Sequence, residues 1–313
     1  MGPGATGLRG LAALVTVAVV SAACGAGTDG ESASTPSPGP AVRHGELDID
    51  GTLRNYRMFV PTTLDRRQAV PLLVVLHGGD NSVEDMVETT GFDQAASVGN
   101  FMVAYPEATG RAWNAGRCCG SAPERGVDDM GFLSRLVEVL GAEQPVDPDR
   151  VWMAGVSNGA MMAYRFACER AGQVDAIASV AGSVMIDDCR PSRPVSVLEL
   201  RGSDDPLIPF EGGQPAVPEL QGIIPYRSAR EVAEQWAGLN GCTAGPDTSG
   251  DETVTTTAWD DCDVGSAVRL VRVEGGGHVW FAPGLGGGNE AIDATEVITE
   301  FFTGLSLAGL DRP

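Results

Sequence analysis

The sequence predicts an α/β fold, one mostly parallel sheet with helices on both faces, and three observations predict it. Short apolar runs bounded by turn residues recur at 71–76, 101–105, 150–154, 176–180, 195–201 and 268–273, the pattern of strands buried on both faces. Segments with helical periodicity stand between them, as helices do when they cover a parallel sheet. The length left after the N-terminal forty or so residues suits one such domain.

The elements follow in chain order. Arg9, the apolar run 11–20 and Ser21-Ala22-Ala23 read as an export signal over residues 1–23, with an apolar run well short of the ~20 residues that span a bilayer. Cys24 follows directly, an arrangement resembling a bacterial lipobox, although Ser21 stands where leucine is usual. This predicts lipidation of Cys24; the alternative is a plain signal peptide ending near a cysteine. Residues 24–43 are rich in Gly, Ser, Thr and Pro and predict a disordered tether. A single domain is expected over 44–313.

That domain opens with two alternating stretches, 45–50 and 53–60, which read as a hairpin. Residues 128–140 carry Phe132, Leu133, Leu136 and Leu140 at helical spacing. Ser228 and Glu231 form a capping box that opens a helix through Trp236. A last helix presents Ala294, Val297, Ile298, Phe301 and Leu305 as one stripe.

Composition excludes several chemistries. The formal net charge is −21, and every one of the 21 basic residues is arginine. An acidic surface disfavours nucleic acid and anionic membranes. The absence of lysine removes Schiff-base chemistry, PLP attachment and a P-loop lysine. Beyond Cys24 six cysteines remain, an even number that suggests disulfides in an exported chain. Cys242 and Cys262 flank a polar, Thr-rich excursion and are expected to pair. Cys118, Cys119, Cys168 and Cys189 are left for two further bridges, and a Cys118–Cys119 bond is disfavoured because adjacent residues strain disulfide geometry. No C-x-x-C pair or His cluster suggests zinc.

Chemistry concentrates at Gly155-Val156-Ser157-Asn158-Gly159. A Gly-x-Ser-x-Gly pattern alone is weak, but here a buried strand precedes it and a helix follows, the context of a nucleophile elbow. Only His44, His77 and His278 can serve as base. His44 lies at the end of the tether and His77 ends a buried strand, where a structural hydrogen-bonding role is expected. His278 sits in a glycine loop after the apolar run 268–273, the strand end at which an α/β sheet places its site. The orienting carboxylate should lie between serine and histidine in chain order. Asp205 is chosen, with Asp204 as runner-up and Asp187 and Asp188 as further candidates. Backbone N–H groups of Gly79 and Asn158 are the expected oxyanion hole.

These residues resemble a known family. Leu76-His77-Gly78-Gly79, Ala104-Tyr105-Pro106-Glu107, the run from Ala112 to Gly120, Asp128-Asp129 with Phe132, the elbow, Gly202-Ser203-Asp204-Asp205-Pro206 and Gly276-Gly277-His278-Val279-Trp280 are similar, in order, to the polyhydroxybutyrate-depolymerase-like esterases. These are α/β-hydrolases that include feruloyl and acetylxylan esterases, and the likeness is greatest to actinobacterial lipoprotein members. The resemblance implies an α/β-hydrolase fold and hydrolysis of carboxylic esters without metal or organic cofactor. Ser157, Asp205 and His278 fall on the family's triad positions. Trp113 and Trp280 are candidates to line the pocket and stack on an aromatic acyl group, with packing in the core an equal alternative for both. Two departures bear on pocket shape: Asp80 where a small residue is common, and Phe281-Ala282 between Trp280 and Pro283-Gly284. Rival readings are a thioesterase, lactonase or peptidase on the same fold, a non-catalytic surface lipoprotein, and, more distantly, a cysteine hydrolase using Cys118 or Cys119.

Overall fold

A computed structural model gives the structure of the chain and describes residues 1, 41–65, 67–118, 120–217, 225–286 and 290–310. The chain divides into two compact units, Met1–Ser37 and Pro38–Pro313, and every named strand and helix belongs to the second. The export signal, Cys24 and most of the expected tether lie outside the described residues.

Ten strands form one sheet in the order β1-β2-β4-β3-β5-β6-β7-β10-β9-β8. Its centre is parallel: β4 (Met102–Pro106), β3 (Val70–Leu76), β5 (Val146–Val156), β6 (Ala176–Val180), β7 (Ser196–Gly202) and β10 (Val268–Val273) all run one way. Antiparallel hairpins extend it at both edges, β1 (Ala41–Ile49) with β2 (Thr52–Val60), and β8 (Ala244–Gly250) with β9 (Val254–Asp260). The first hairpin turns at Asp50-Gly51, where both residues have positive φ, as a two-residue turn matching strand twist requires.

β1 begins at Ala41, so the tether expected to reach residue 43 ends earlier. Ala41, Val42 and Arg43 pair with Val60, Phe59 and Met58, because an extended backbone can add to an edge whatever its side chains.

Alternation along the central strands splits the core in two. Leu72, Val74 and Leu76 face one cluster with α3 (Asp129–Glu143), α4 (Asn158–Glu169) and α5 (Ala229–Leu239). Leu73 and Val75 face the other, with α1 (Val83–Thr90), α2 (Phe92–Gly99) and α6 (Ala294–Leu310). The capping box at Ser228 is present, with reciprocal bonds to Glu231. The sequence missed the β8–β9 hairpin, whose strands are almost wholly exposed or half-exposed and so lack an apolar alternation. It also missed α1 and α2, each only eight residues long.

Disulfides join Cys168 to Cys189 and Cys242 to Cys262. Cys118 is disulfide-bonded as well; Cys119, on which the expectation about a Cys118–Cys119 bond rests, is outside the described residues.

Candidate active site

Four central strands deliver their C-terminal ends to one edge of the sheet. β3 leads into His77-Gly78-Gly79, β5 into Ser157, β7 into Asp205 and β10 into His278. Registers Leu76↔Gly155 and Gly202↔Val273 hold these ends level.

Ser157 has φ 54° and ψ −120° between β5 and α4, a region costly to a residue with a side chain and persistent only where neighbours enforce it. The flanking glycines are that enforcement. A Cβ on Gly155 would stand 2.5 Å from the Gly159 carbonyl carbon, and one on Gly159 would stand 2.5 Å from the His77 carbonyl oxygen. The turn therefore closes only with glycine at both positions. A Cβ on Gly202 would likewise overlap the Gly276 carbonyl, so glycine there lets the loops after β7 and β10 meet.

The structure brings Ser157, His278 and Asp205 into one hydrogen-bonded row. His278 Nδ1 is 2.8 Å from Asp205 Oδ2, and His278 Nε2 is 2.8 Å from Ser157 Oγ. An ionised carboxylate only accepts, so Nδ1 carries the proton and Nε2 is left to accept from the serine hydroxyl. The other carboxylate oxygen, Oδ1, accepts from the N–H groups of Leu207 and Ile208, both at 2.8 Å, which fixes the Asp205 side chain in a buried position. Asp204 is exposed and accepts from Ser203. Asp187 and Asp188 pair with Arg117 and Arg190 at the surface. His44 is exposed on β1.

Gly79 and Asn158 stand side by side on the wall of a cavity of about 710 Å³ that also contains Ser157 and His278. Asn158 is the first residue of α4, so its N–H has no intrahelical acceptor, and the helix N-terminus favours negative charge there.

Cavity walls come from both core clusters: Met161, Ile208 and Tyr226 from one, Met86, Val279 and Trp280 from the other. Asp80, Asp85, Glu124 and Arg117 supply its charge. Burial pushes the Tyr226 hydroxyl up from its ordinary pKa, and the nearby negative charge of Asp205 adds to this. Of these residues only Trp280 and Asp80 stood out in the sequence, because the others are ordinary until loops far apart in the chain meet.

Of the two readings of Trp113, pocket wall or core, the structure shows the core. The residue is fully buried and absent from the cavity wall. Its indole N–H donates to the His77 carbonyl (2.9 Å), and its backbone is bridged by the Asn158 side chain. Trp280 does line the cavity but offers little surface: it is 3% exposed, donates to Thr295 Oγ1 (3.1 Å) and meets Phe92 edge-on.

Buried polar side chains fix the segment around Trp113. Buried Asp129 pairs with Arg54 (2.6 Å) and accepts from Asn114 N–H (2.7 Å), while Arg165 donates to the Asn114 carbonyl (2.6 Å). Burial raises the Asp129 pKa against these stabilising bonds. His77 is also structural in its contacts. Its Nε2 accepts from Ala108 N–H (3.0 Å), which leaves Nδ1 to donate to the Gly78 carbonyl (2.8 Å). Burial lowers its pKa, in keeping with that neutral tautomer.

Among the described residues no cluster of His, Cys, Asp and Glu is arranged to hold a metal ion.

A parallel sheet with a strained serine at one strand end, and histidine and aspartate at two others, defines an α/β-hydrolase of the serine type. The solved acetyl xylan esterase from Aspergillus awamori shares this fold, with a TM-score of 0.60 at 16% identity, over 83% of this chain and 99% of that one. The family model described as Esterase PHB depolymerase matches residues 54–210, and the chain belongs to that family. It is accordingly an esterase, a carboxylic-ester hydrolase. NocK of Nocardia uniformis subsp. tsuyamanensis, an esterase by name, is 31% identical over 252 residues, covering 75% of this chain and 73% of its own. Feruloyl esterase B of Piromyces equi is 30% identical over 230 residues, 70% of this chain but only 41% of the relative.

Proposed function

We propose that this chain is an exported serine esterase that cleaves carboxylic esters through an acyl-enzyme on Ser157. The observation that carries the reading is the hydrogen-bonded row from Asp205 through His278 to Ser157, opening into the 710 Å³ cavity. His278 Nε2 takes the hydroxyl proton as Ser157 Oγ attacks the ester carbonyl carbon. The N–H groups of Gly79 and Asn158 hold the oxyanion that forms. As the carbon–oxygen bond to the alcohol breaks, His278 returns the proton to the leaving alkoxide. Water then enters by the same route, and the carboxylic acid is released with Ser157 restored. Asp205 holds the imidazole in the required tautomer through the Nδ1 contact.

Export is supported by the leader-like N-terminus and by two disulfides, which persist in oxidising compartments. A lipid anchor at Cys24 remains part of the proposal on sequence grounds alone. The names of the feruloyl and acetylxylan esterase relatives make acetyl and hydroxycinnamoyl esters the first substrates to try.

The test is hydrolysis of p-nitrophenyl acetate, p-nitrophenyl butyrate and methyl ferulate by the purified protein and by Ser157→Ala. Removing the nucleophile should lower kcat by about 10⁶-fold, because the three side chains act as a unit. Turnover that survives Ser157→Ala would remove the assignment. Preference for thioester or peptide substrates over all three esters would move the chain to another acyl-transfer class on the same fold.

A further inference from the structure

We propose that Arg201 is a positioning residue for ester hydrolysis, a buried clamp that sets where the Asp205 turn sits. The proposal rests on the assignment of Asp205 made above.

The sequence carries the signal that should have drawn attention to it. In the apolar strand Ser196–Gly202, Glu199 and Arg201 are two apart and therefore share a face. Both are completely buried and form an ion pair through Arg201 Nη2 and Glu199 Oε1. Glu199 Oε2 accepts from the hydroxyl of Tyr164 on α4 at 2.8 Å. Burial pushes both the Glu199 carboxyl and the Tyr164 hydroxyl above their ordinary ranges, so the cluster is held in a poorly solvated place. A buried ion pair is a weak way to gain stability, since apolar groups of the same volume often serve as well or better. Its presence in the middle of β7 calls for a geometric reason.

The guanidinium supplies one, because it reaches three carbonyls on three different segments. Nη2 donates to Gly182, and Nη1 reaches Pro209 (3.5 Å) and Arg227 (3.4 Å). Gly182 lies two residues beyond the end of β6, whose Val180 carbonyl accepts the Ser157 N–H at 2.9 Å. Pro209 directly follows Ile208, one of the two N–H donors to Asp205 Oδ1. Arg227 directly follows Tyr226, a cavity-wall residue whose backbone pairs with Gly213. One planar group thus joins the support of the nucleophile, the far end of the carboxylate's turn and the cavity wall. Among the described residues Asp205 Oδ1 accepts only from N–H groups of its own turn, so the turn as a whole must be held if Oδ2 is to stay 2.8 Å from His278. Arginine suits this task because its rigid fork serves several acceptors at once.

The experiment is a double-mutant cycle on kcat for p-nitrophenyl acetate. Arg201→Lys keeps the charge opposite Glu199 but loses the fork. Glu199→Gln with Arg201→Met removes both charges together, so neither is left buried and unpaired. Each is measured with Asp205 intact and in combination with Asp205→Asn. With Asp205 intact, both should lower kcat by about 10–100-fold, the cost of an ångström-scale misplacement, with a smaller rise in KM. On the Asp205→Asn background they should add nothing further, since a misplaced carboxylate no longer matters there. Losses that add fully on that background, or an unchanged kcat in both variants, would overturn the proposal. If Asp205→Asn alone leaves kcat unchanged, the assignment of Asp205 itself fails and the role of Arg201 fails with it.

Discussion

The side-chain amide of Asn158 is hydrogen-bonded twice to the backbone of Trp113, accepting its N–H at 2.6 Å and donating to its carbonyl at 3.1 Å. The residue after the nucleophile therefore has two separate assignments. Its backbone N–H is the oxyanion donor proposed above, and its buried side chain holds Trp113 against the elbow. Asn158→Ala keeps the first and removes the second. The buried Trp113 N–H is then left unpaired, while its carbonyl keeps the Ala115 N–H at 3.0 Å. This should lower unfolding free energy by about 1–3 kcal/mol. Urea unfolding monitored by tryptophan fluorescence measures this, and an unchanged midpoint would show that other groups satisfy the Trp113 backbone.

Asp204 and Asp205 are neighbours with opposite surroundings, one exposed and one buried against His278. Asp205→Asn should reduce kcat by about 10⁴-fold by favouring the wrong imidazole tautomer. Asp204→Asn should leave kcat close to the parent value. A reversal of the two results would transfer the orienting role to Asp204.

That pair marks the limit of what the sequence can convey about the site. Ser157 was legible because strand, turn and helix are all local and the flanking glycines are written beside it. His278 was legible because only three histidines exist and one follows a strand end. Choosing between Asp204 and Asp205 depends on which side chain the turn directs inward, a question of tertiary geometry. Whether Trp113 lines the pocket or packs in the core could not be decided from the sequence for a related reason. A tryptophan in a glycine-containing loop looks available to substrate, and its burial rests on His77 and Asn158, 36 and 45 residues away. In the fold, buried parallel strands announced themselves by apolar runs. The largely exposed β8–β9 hairpin has only scattered apolar residues (Ala244, Val254, Ala258 and Trp259) among its Thr, Gly, Ser, Pro and Asp, so its pairing could not be read from periodicity.

The two disulfides should separate stability from activity. Cys242–Cys262 spans 20 residues at the far edge of the sheet, beyond β10 from the site. Replacing both cysteines with serine should cost about 3 kcal/mol in the chain-entropy model, lowering Tm by roughly 6–12 °C for a domain of this size. Its kcat and KM should not change. Cys168–Cys189 spans 21 residues and ties α4 to the loop after β6. On that loop the Met185 carbonyl accepts the N–H of Arg117, a cavity-wall residue, at 2.9 Å. Removing this bridge should cost a similar amount of stability and also raise KM. Equal kinetic effects from the two pairs would contradict this division.

Stability should also respond to pH through His77. Its Nε2 accepts the Ala108 N–H, so protonation there would set donor against donor. Burial is the largest cause of its lowered pKa, opposed by the Gly78 carbonyl and by Glu107. The sign follows from linkage. A histidine whose folded pKa lies below its unfolded value of 6.5 stabilises the fold above that pH. The contribution is lost as pH falls, because the unfolded chain takes up a proton that the folded chain refuses. Unfolding free energy should therefore decline below pH 6.5, with this residue contributing at most about 1.4 kcal/mol per pH unit. Asp129 and Glu199, raised by burial, act in the opposite direction, so the total slope alone is not diagnostic. The difference between the parent and His77→Gln is, because glutamine can both donate and accept at this position without titrating. Denaturant melts at pH 7.5, 6.5, 5.5 and 5.0 should give a shallower decline for His77→Gln than for the parent. Parallel curves would mean that His77 takes up its proton as readily in the folded chain as in the unfolded one, and that its contact with Ala108 is not what the fold depends on.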